Sequence, residues 1–102
     1  MWSRTKHARA NPSTQQTNTS LVAARSDRAV LLDNIYVSSD TAMTLTLVNG
    51  TTHDVIWRMY VGARGGANVP IGDMSAWGEG VDYTTSGAGN VFFDLRYTYT
   101  GE

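Results

Sequence analysis

The sequence predicts an all-β fold: a small antiparallel β-sandwich, jelly-roll-like, with an extended N-terminal arm. Three observations lead there. Apolar residues alternate with polar ones in several short segments, the period of a half-buried strand. Clusters of Gly, Asn, Asp and Ser separate those segments at a spacing of roughly ten residues, as in sandwiches and barrels. No segment carries the three-to-four-residue apolar period of an amphipathic helix. A length of 102 residues suits one domain.

Residues 1–20 read as a flexible basic arm. Asn11 to Ser20 contains no apolar residue except Pro12, so it offers little burial to offset the entropy of ordering. Residues 21–102 read as the sandwich domain. Leu21–Ala24 is a short first strand. Ala29–Val37 is a second, in which Asp33 and Asn34 interrupt an apolar run. A bulge there would bring Leu32, Ile35 and Val37 to one core. In Met43–Val48, Met43, Leu45 and Leu47 share a face. After the turn signal Asn49-Gly50, residues Val55, Trp57, Met59 and Val61 alternate with Ile56, Arg58 and Tyr60. Gly62–Asn68 reads as a flexible connection. Pro70 confines Val69–Ile71 to a sheet edge or an extended loop. Val81–Thr85 is a short strand, and Val91–Tyr99 a long one with Val91, Phe93, Leu95, Tyr97 and Tyr99 on one face.

Composition narrows the function classes. The chain is 41 % apolar and 17 % charged, unlike a disordered chain. It has no cysteine, which excludes a disulfide scaffold, a thiolate metal site and a cysteine nucleophile. No apolar run approaches the roughly 20 residues of a membrane helix, and residues 1–20 lack the apolar stretch of a signal peptide. The expectation is a soluble protein made in a reducing compartment, with no membrane partner. Charge is unevenly divided. Residues 1–28 carry Arg4, Lys6, Arg9, Arg25 and Arg28 against Asp27, a net of +4, and the remainder carries a net of −5. So basic an arm could lie on an acidic surface such as a neighbouring copy of the body, but it offers too few cations for tight nucleic-acid binding. A body of about 80 residues buries only about 60 % of its unfolded surface, which favours a homo-oligomer whose contacts cover the sheet edges.

No catalytic signature emerges, and no catalytic, cofactor or metal residue is assigned. His53 beside Asp54 could act as a base and its orienter, but no nucleophile accompanies them and polar residues suit a solvated turn. Asp73, Glu79 and Asp82 surround Trp77; they could hold calcium or a sugar. They lack the alternating oxygen spacing of a calcium loop, and the expectation is an acidic loop with Trp77 folded back onto the core. Gly62-Ala-Arg-Gly-Gly-Ala67 is not followed by the Lys-Ser or Lys-Thr of a phosphate loop. Trp57, Arg58, Tyr60, Arg96 and Tyr97 could stack on and hold a single-stranded nucleic acid. Trp57 and Tyr97 fall on core faces, however, and an acidic body repels a polyanion.

Certain phrases resemble a known group: Asn34-Ile-Tyr-Val-Ser38, Met43-Thr-Leu-Thr-Leu-Val48, Tyr60-Val61, Asn68-Val-Pro-Ile71, Gly78-Glu-Gly80 before Val81-Asp-Tyr-Thr-Thr85, and Gly89-Asn-Val91 to Arg96-Tyr97. Over roughly residues 29–100 the chain resembles small β-sandwich virion proteins of tailed bacteriophages, the head decoration or cement proteins and their neck and tail relatives. The resemblance implies a non-enzymatic subunit without cofactors. It would be made in the host cytoplasm and sit on the phage head, often as a trimer, bracing the major capsid protein against internal pressure. Trp2, Arg4, Lys6 and Arg9 of the arm would then contact a virion partner. A neck or tail position is the alternative within that group. A carbohydrate- or ligand-binding sandwich is the alternative of another class.

Overall fold

The computed structural model describes residues 5–101. Its eight strands are β1 Lys6–Ala10, β2 Thr19–Val22, β3 Val30–Ser39, β4 Met43–Asn49, β5 Val55–Val61, β6 Gly65–Met74, β7 Val81–Thr85 and β8 Val91–Tyr99. They form two four-stranded antiparallel sheets, in the orders β1-β8-β3-β6 and β2-β7-β4-β5. The pairings have a simple logic. β4 pairs with β5, β3 with β6, β2 with β7 and β1 with β8. The chain is therefore one long hairpin, doubled back at the β4–β5 turn and rolled so that its strand pairs alternate between two sheets. That wrapping is the jelly roll.

The strands form where alternation presents an apolar face. Val30, Leu32, Ile35 and Val37 of β3, Leu45 and Leu47 of β4, Val81 and Tyr83 of β7, and Val91, Phe93 and Leu95 of β8 are all buried. Tyr83 and Phe93 meet edge to face across the sandwich at 4.9 Å between ring centroids, a favoured geometry for aromatic pairs. Burial raises the Tyr83 phenol pKa. Trp57, Met59 and Tyr97 pack half-buried against this core, on the faces that the alternation indicated.

The expected bulge in β3 is present. Both of its ladders, to β6 and to β8, shift register between Leu32 and Asn34, leaving exposed Asp33 without a partner. The extra residue resets the pleat, so Leu32, Ile35 and Val37 all face inward, at 1 %, 0 % and 0 % exposure.

The strand expected at Leu21–Ala24 runs Thr19–Val22, and two further elements differ from the sequence reading. Residues 6–10, placed in a flexible arm, are the edge strand β1, in register with β8 from Lys6↔Tyr97 to Ala10↔Phe93. The sandwich thus begins at Lys6 rather than at residue 21. Ala8 is the inward residue of β1 and is buried. Residues 11–18 cross to the second sheet and are fastened to β7: the Gln16 amide donates to Thr85 Oγ1 at 2.9 Å, and the Thr85 amide donates to the Gln16 carbonyl at 3.0 Å. The second difference is β6, where Gly65–Asn68, expected as a loose connection, is a regular strand opposite Ser39–Tyr36. Small residues suffice there because the strand is held by its backbone ladder. Pro70 falls on this edge strand, opposite Asn34 and next to the bulge, where a missing donor is tolerated.

Candidate functional site

The segment joining β6 to β7 presents the most exposed tryptophan of the body. Trp77 is 67 % exposed, and Met74 just before it is 50 % exposed. The expectation that Trp77 folds back onto the core is therefore corrected. Ser75 takes the inward position instead, at 3 % exposure. Its hydroxyl accepts from the Val30 amide at 2.9 Å and faces the carbonyls of Ala76 and Glu79 at 3.1 and 3.0 Å. The Gly78 backbone lies against the connection before β3, its amide donating to the Arg28 carbonyl at 2.8 Å. With Ser75 and Gly78 drawn inward, the intervening tryptophan points to solvent.

The loop is fastened by hydrogen bonds as well as exposed. The Ala76 amide donates to Asn49 Oδ1 at 2.8 Å, the Ser75 amide to the Val30 carbonyl at 2.9 Å, and the Gly50 amide to the Gly80 carbonyl at 3.0 Å. Glu79 turns away from Trp77, its Oε1 accepting from the Thr51 amide at 2.6 Å. Asp82 lies on β7 opposite Val48 and Ser20, where burial is the leading influence and raises its pKa. Asp73 lies on β6 opposite Leu32, away from the Glu79 and Asp82 carboxylates, of which Glu79 adds to the rise of the Asp82 pKa. Among the described residues no group of three or more His, Asp or Glu side chains is placed to hold a metal ion.

The other singled-out residues are dispersed. Trp2 and Arg4 lie outside the described residues. Lys6 and Arg9 are exposed on β1, and Arg9 Nε reaches Asp94 Oδ2 of β8 at 3.3 Å. His53 and Asp54 form an exposed turn: the His53 amide donates to the Asn49 carbonyl and the Asn49 amide to the Asp54 carbonyl, both at 2.9 Å. His53 has a positive φ of 63° there. Arg58 and Tyr60 belong to β5 of one sheet and Arg96 to β8 of the other, so the conceivable stacking residues do not share a surface. At the far end of the sandwich Asp40 ties two turns together, accepting from the Thr41 hydroxyl and from the backbone and side-chain nitrogens of Asn90. Those bonds hold its pKa below the usual value.

Sequence reasoning placed Trp77 in an irregular loop but missed its exposure, because the loop's inward residue is a serine. The signal available was small: Ser75 and Gly78 flank Trp77, and each is compact enough to let the backbone lie on the sandwich. Comparison with protein-family models, with curated proteins and with solved structures returns no match for this chain.

Proposed function

We propose that this protein is a structural subunit of a tailed-phage virion, a capsid decoration or cement protein that docks on the major capsid protein and assembles as a trimer. The observation that carries the docking is Trp77, a large apolar side chain held in solvent by a hydrogen-bonded loop. Rigid aromatic anchors of this kind dominate protein interfaces, and a preformed loop avoids the ordering cost of binding. The virion assignment rests on the resemblance of residues 29–100 and on the jelly roll, a fold shared by capsid and lectin proteins; fold alone does not define function. In this reading Trp2, Arg4, Lys6 and Arg9 add to the contact with the virion partner.

The test is co-sedimentation of the full chain with heads of the phage that encodes it, wild type against Trp77→Ala. The wild type should pellet with the heads. Trp77→Ala should bind at least about 30-fold more weakly, the loss expected of a hot-spot residue, with an unchanged melting temperature. Wild-type protein that stays in the supernatant would overturn the decoration role. The solution mass separates positions: a trimer agrees with a head site, and a ring of six or more transfers the protein to the neck or tail.

A further inference from the structure

We infer that the outer face of the β1-β8-β3-β6 sheet is a binding site for an acidic saccharide, a carboxylated sugar seated between Arg96 and Tyr36. The inference is independent of the Trp77 loop and of any virion role. The register builds the site. Around the middle of the sheet, Arg9 of β1, Asp94 of β8, Tyr36 of β3 and Asn68 of β6 lie side by side across four strands. In the adjacent row, His7, Arg96, Asn34 and Pro70 do the same. Between these rows is a hollow of about 280 Å³ bounded by His7, Asn34, Tyr36, Asn68, Asp94 and Arg96. That is just below the range for drug-sized ligand pockets, suited to one or two sugar rings.

The polar groups divide into those already committed and those left for a ligand. Asp94 is committed: His7 Nδ1 lies 3.0 Å from its Oδ1 and Arg9 Nε 3.3 Å from its Oδ2. Its charge is therefore answered within β1. Asn34 Nδ2 donates to Asn68 Oδ1 at 2.7 Å. That bond orients the pair and leaves Asn34 Oδ1 as an acceptor and Asn68 Nδ2 as a donor. Arg96 is exposed and makes no ion pair among the described residues. With Asp94 answered by Arg9 from outside the hollow, the Arg96 guanidinium that lines it is left for an anion. A planar guanidinium is matched by a carboxylate that accepts two parallel bonds.

Tyr36 supplies the remaining element. It is 44 % exposed on a central strand, with its ring braced by Phe92 at 6.3 Å between centroids. An aromatic face beside fixed amide donors and acceptors is what a sugar requires: its ring offers an apolar C–H face, and its hydroxyls both donate and accept. A carboxylate on the sugar would take Arg96, and adjacent hydroxyls would meet Asn34 and Asn68. A nucleic-acid strand fits less well, since the hollow offers one uncommitted cation rather than a track of them.

The test is titration of the full-length, isotope-labelled protein, followed by amide chemical shifts. The ligands are a galacturonate trisaccharide and an N-acetylneuraminate-capped lactose, with uncharged galactose trisaccharide and a thymidine oligonucleotide for comparison. At least one acidic saccharide should bind in the micromolar to millimolar range and shift amides of β3, β6 and β8 around Tyr36, Asn68 and Arg96. Arg96→Ala should weaken that binding at least tenfold, Arg96→Lys less, and Tyr36→Ala severalfold, while Trp77→Ala leaves it unchanged. All are surface positions, and unchanged melting curves establish that the variants fold. No binding of either acidic saccharide at ten millimolar, equal binding of the uncharged sugar, preferential binding of the oligonucleotide, or shifts confined to the Trp77 loop would each overturn the assignment.

Discussion

Replacing Gly80 with alanine is expected to break the entry to β7. Gly80 is buried where the chain passes beneath the end of β2. A Cβ built there lies 2.3 Å from the Val22 carbonyl oxygen, 2.8 Å from the Ala24 nitrogen and 3.0 Å from the Ala23 carbonyl carbon. All three neighbours are backbone, so no side-chain rotation relieves the contact. Ordinary van der Waals contact begins near 3.4 Å, so β2 must retreat by about 1 Å. Val22 pairs directly with Val81 and is only 3 % exposed. The retreat uncovers Val22, worth about 1.5–3 kcal/mol, and stretches one or two ladder hydrogen bonds, worth about 0.5–1.5 kcal/mol each. The sum is about 2–6 kcal/mol, a large part of the 5–15 kcal/mol that holds a typical domain. For a domain of this size the melting temperature should fall by at least about 8 °C. Gly87→Ala is the matched control: nothing lies within 4 Å of its built Cβ, and reduced unfolded-state entropy makes it neutral or stabilising by up to about 1 kcal/mol. Urea unfolding followed by circular dichroism measures both. A Gly80→Ala protein within 1 kcal/mol of the wild type, with β2 amides still protected from exchange, would refute the close approach and the β2–β7 register with it.

Thr85→Val should release the crossing segment without unfolding the sandwich. Thr85 is buried at 1 % exposure and its hydroxyl receives the Gln16 amide; an orphaned donor there costs about 1–3 kcal/mol. Hydrogen exchange at Gln16 should accelerate, and unchanged exchange would refute the fastening of residues 11–18 to β7. The acid limb of stability should carry two opposed contributions. Asp40 has a lowered pKa, so its stabilisation is present above its unfolded pKa and is lost as pH falls through the folded value. Asp82 has a raised pKa, so its ionised form costs stability near neutrality and protonation relieves that cost as pH falls. Asp40→Asn should therefore destabilise at pH 7 and become neutral in acid, whereas Asp82→Asn should stabilise at pH 7 by an amount that vanishes in acid. Melting temperatures from pH 2 to 8 check both, and equal signs at pH 7 would contradict the assigned environments.

The candidate sites were legible to different degrees. Arg9 and Arg96 could be singled out as cations, but nothing local relates them. They share a surface only because β1 pairs with β8 and β8 with β3, which puts Arg96 beside Asn34 across the sheet. Asn34 and Asn68 are far apart in the chain and meet through the β3–β6 ladder. Trp77 was visible as an aromatic among turn residues, while its exposure depended on Ser75 and Gly78 taking the inward places.

Alternation of side chains is a local property, and it sufficed to define β3, β4, β5, β7 and β8, the bulge at Asp33 and the inward faces except at the start of β5, where a register shift leaves Val55 53 % exposed and packs Ile56 against the core instead. Burial selects one face of each pleated strand, and the residues that satisfy it stand two apart in the chain. The edges obey a different rule. β1 contributes one buried alanine, and the first residues of β6 are glycine and alanine. Such strands are held by backbone hydrogen bonds to a partner distant in sequence, and every residue type except proline can supply those. Tertiary structure alone therefore decided that residues 6–10 close one sheet and that Gly65–Asn68 extends the other edge. The long hairpin explains why: once β4 and β5 pair and the ribbon rolls up, each earlier strand meets its later partner, and β8 presents an open edge that β1 fills.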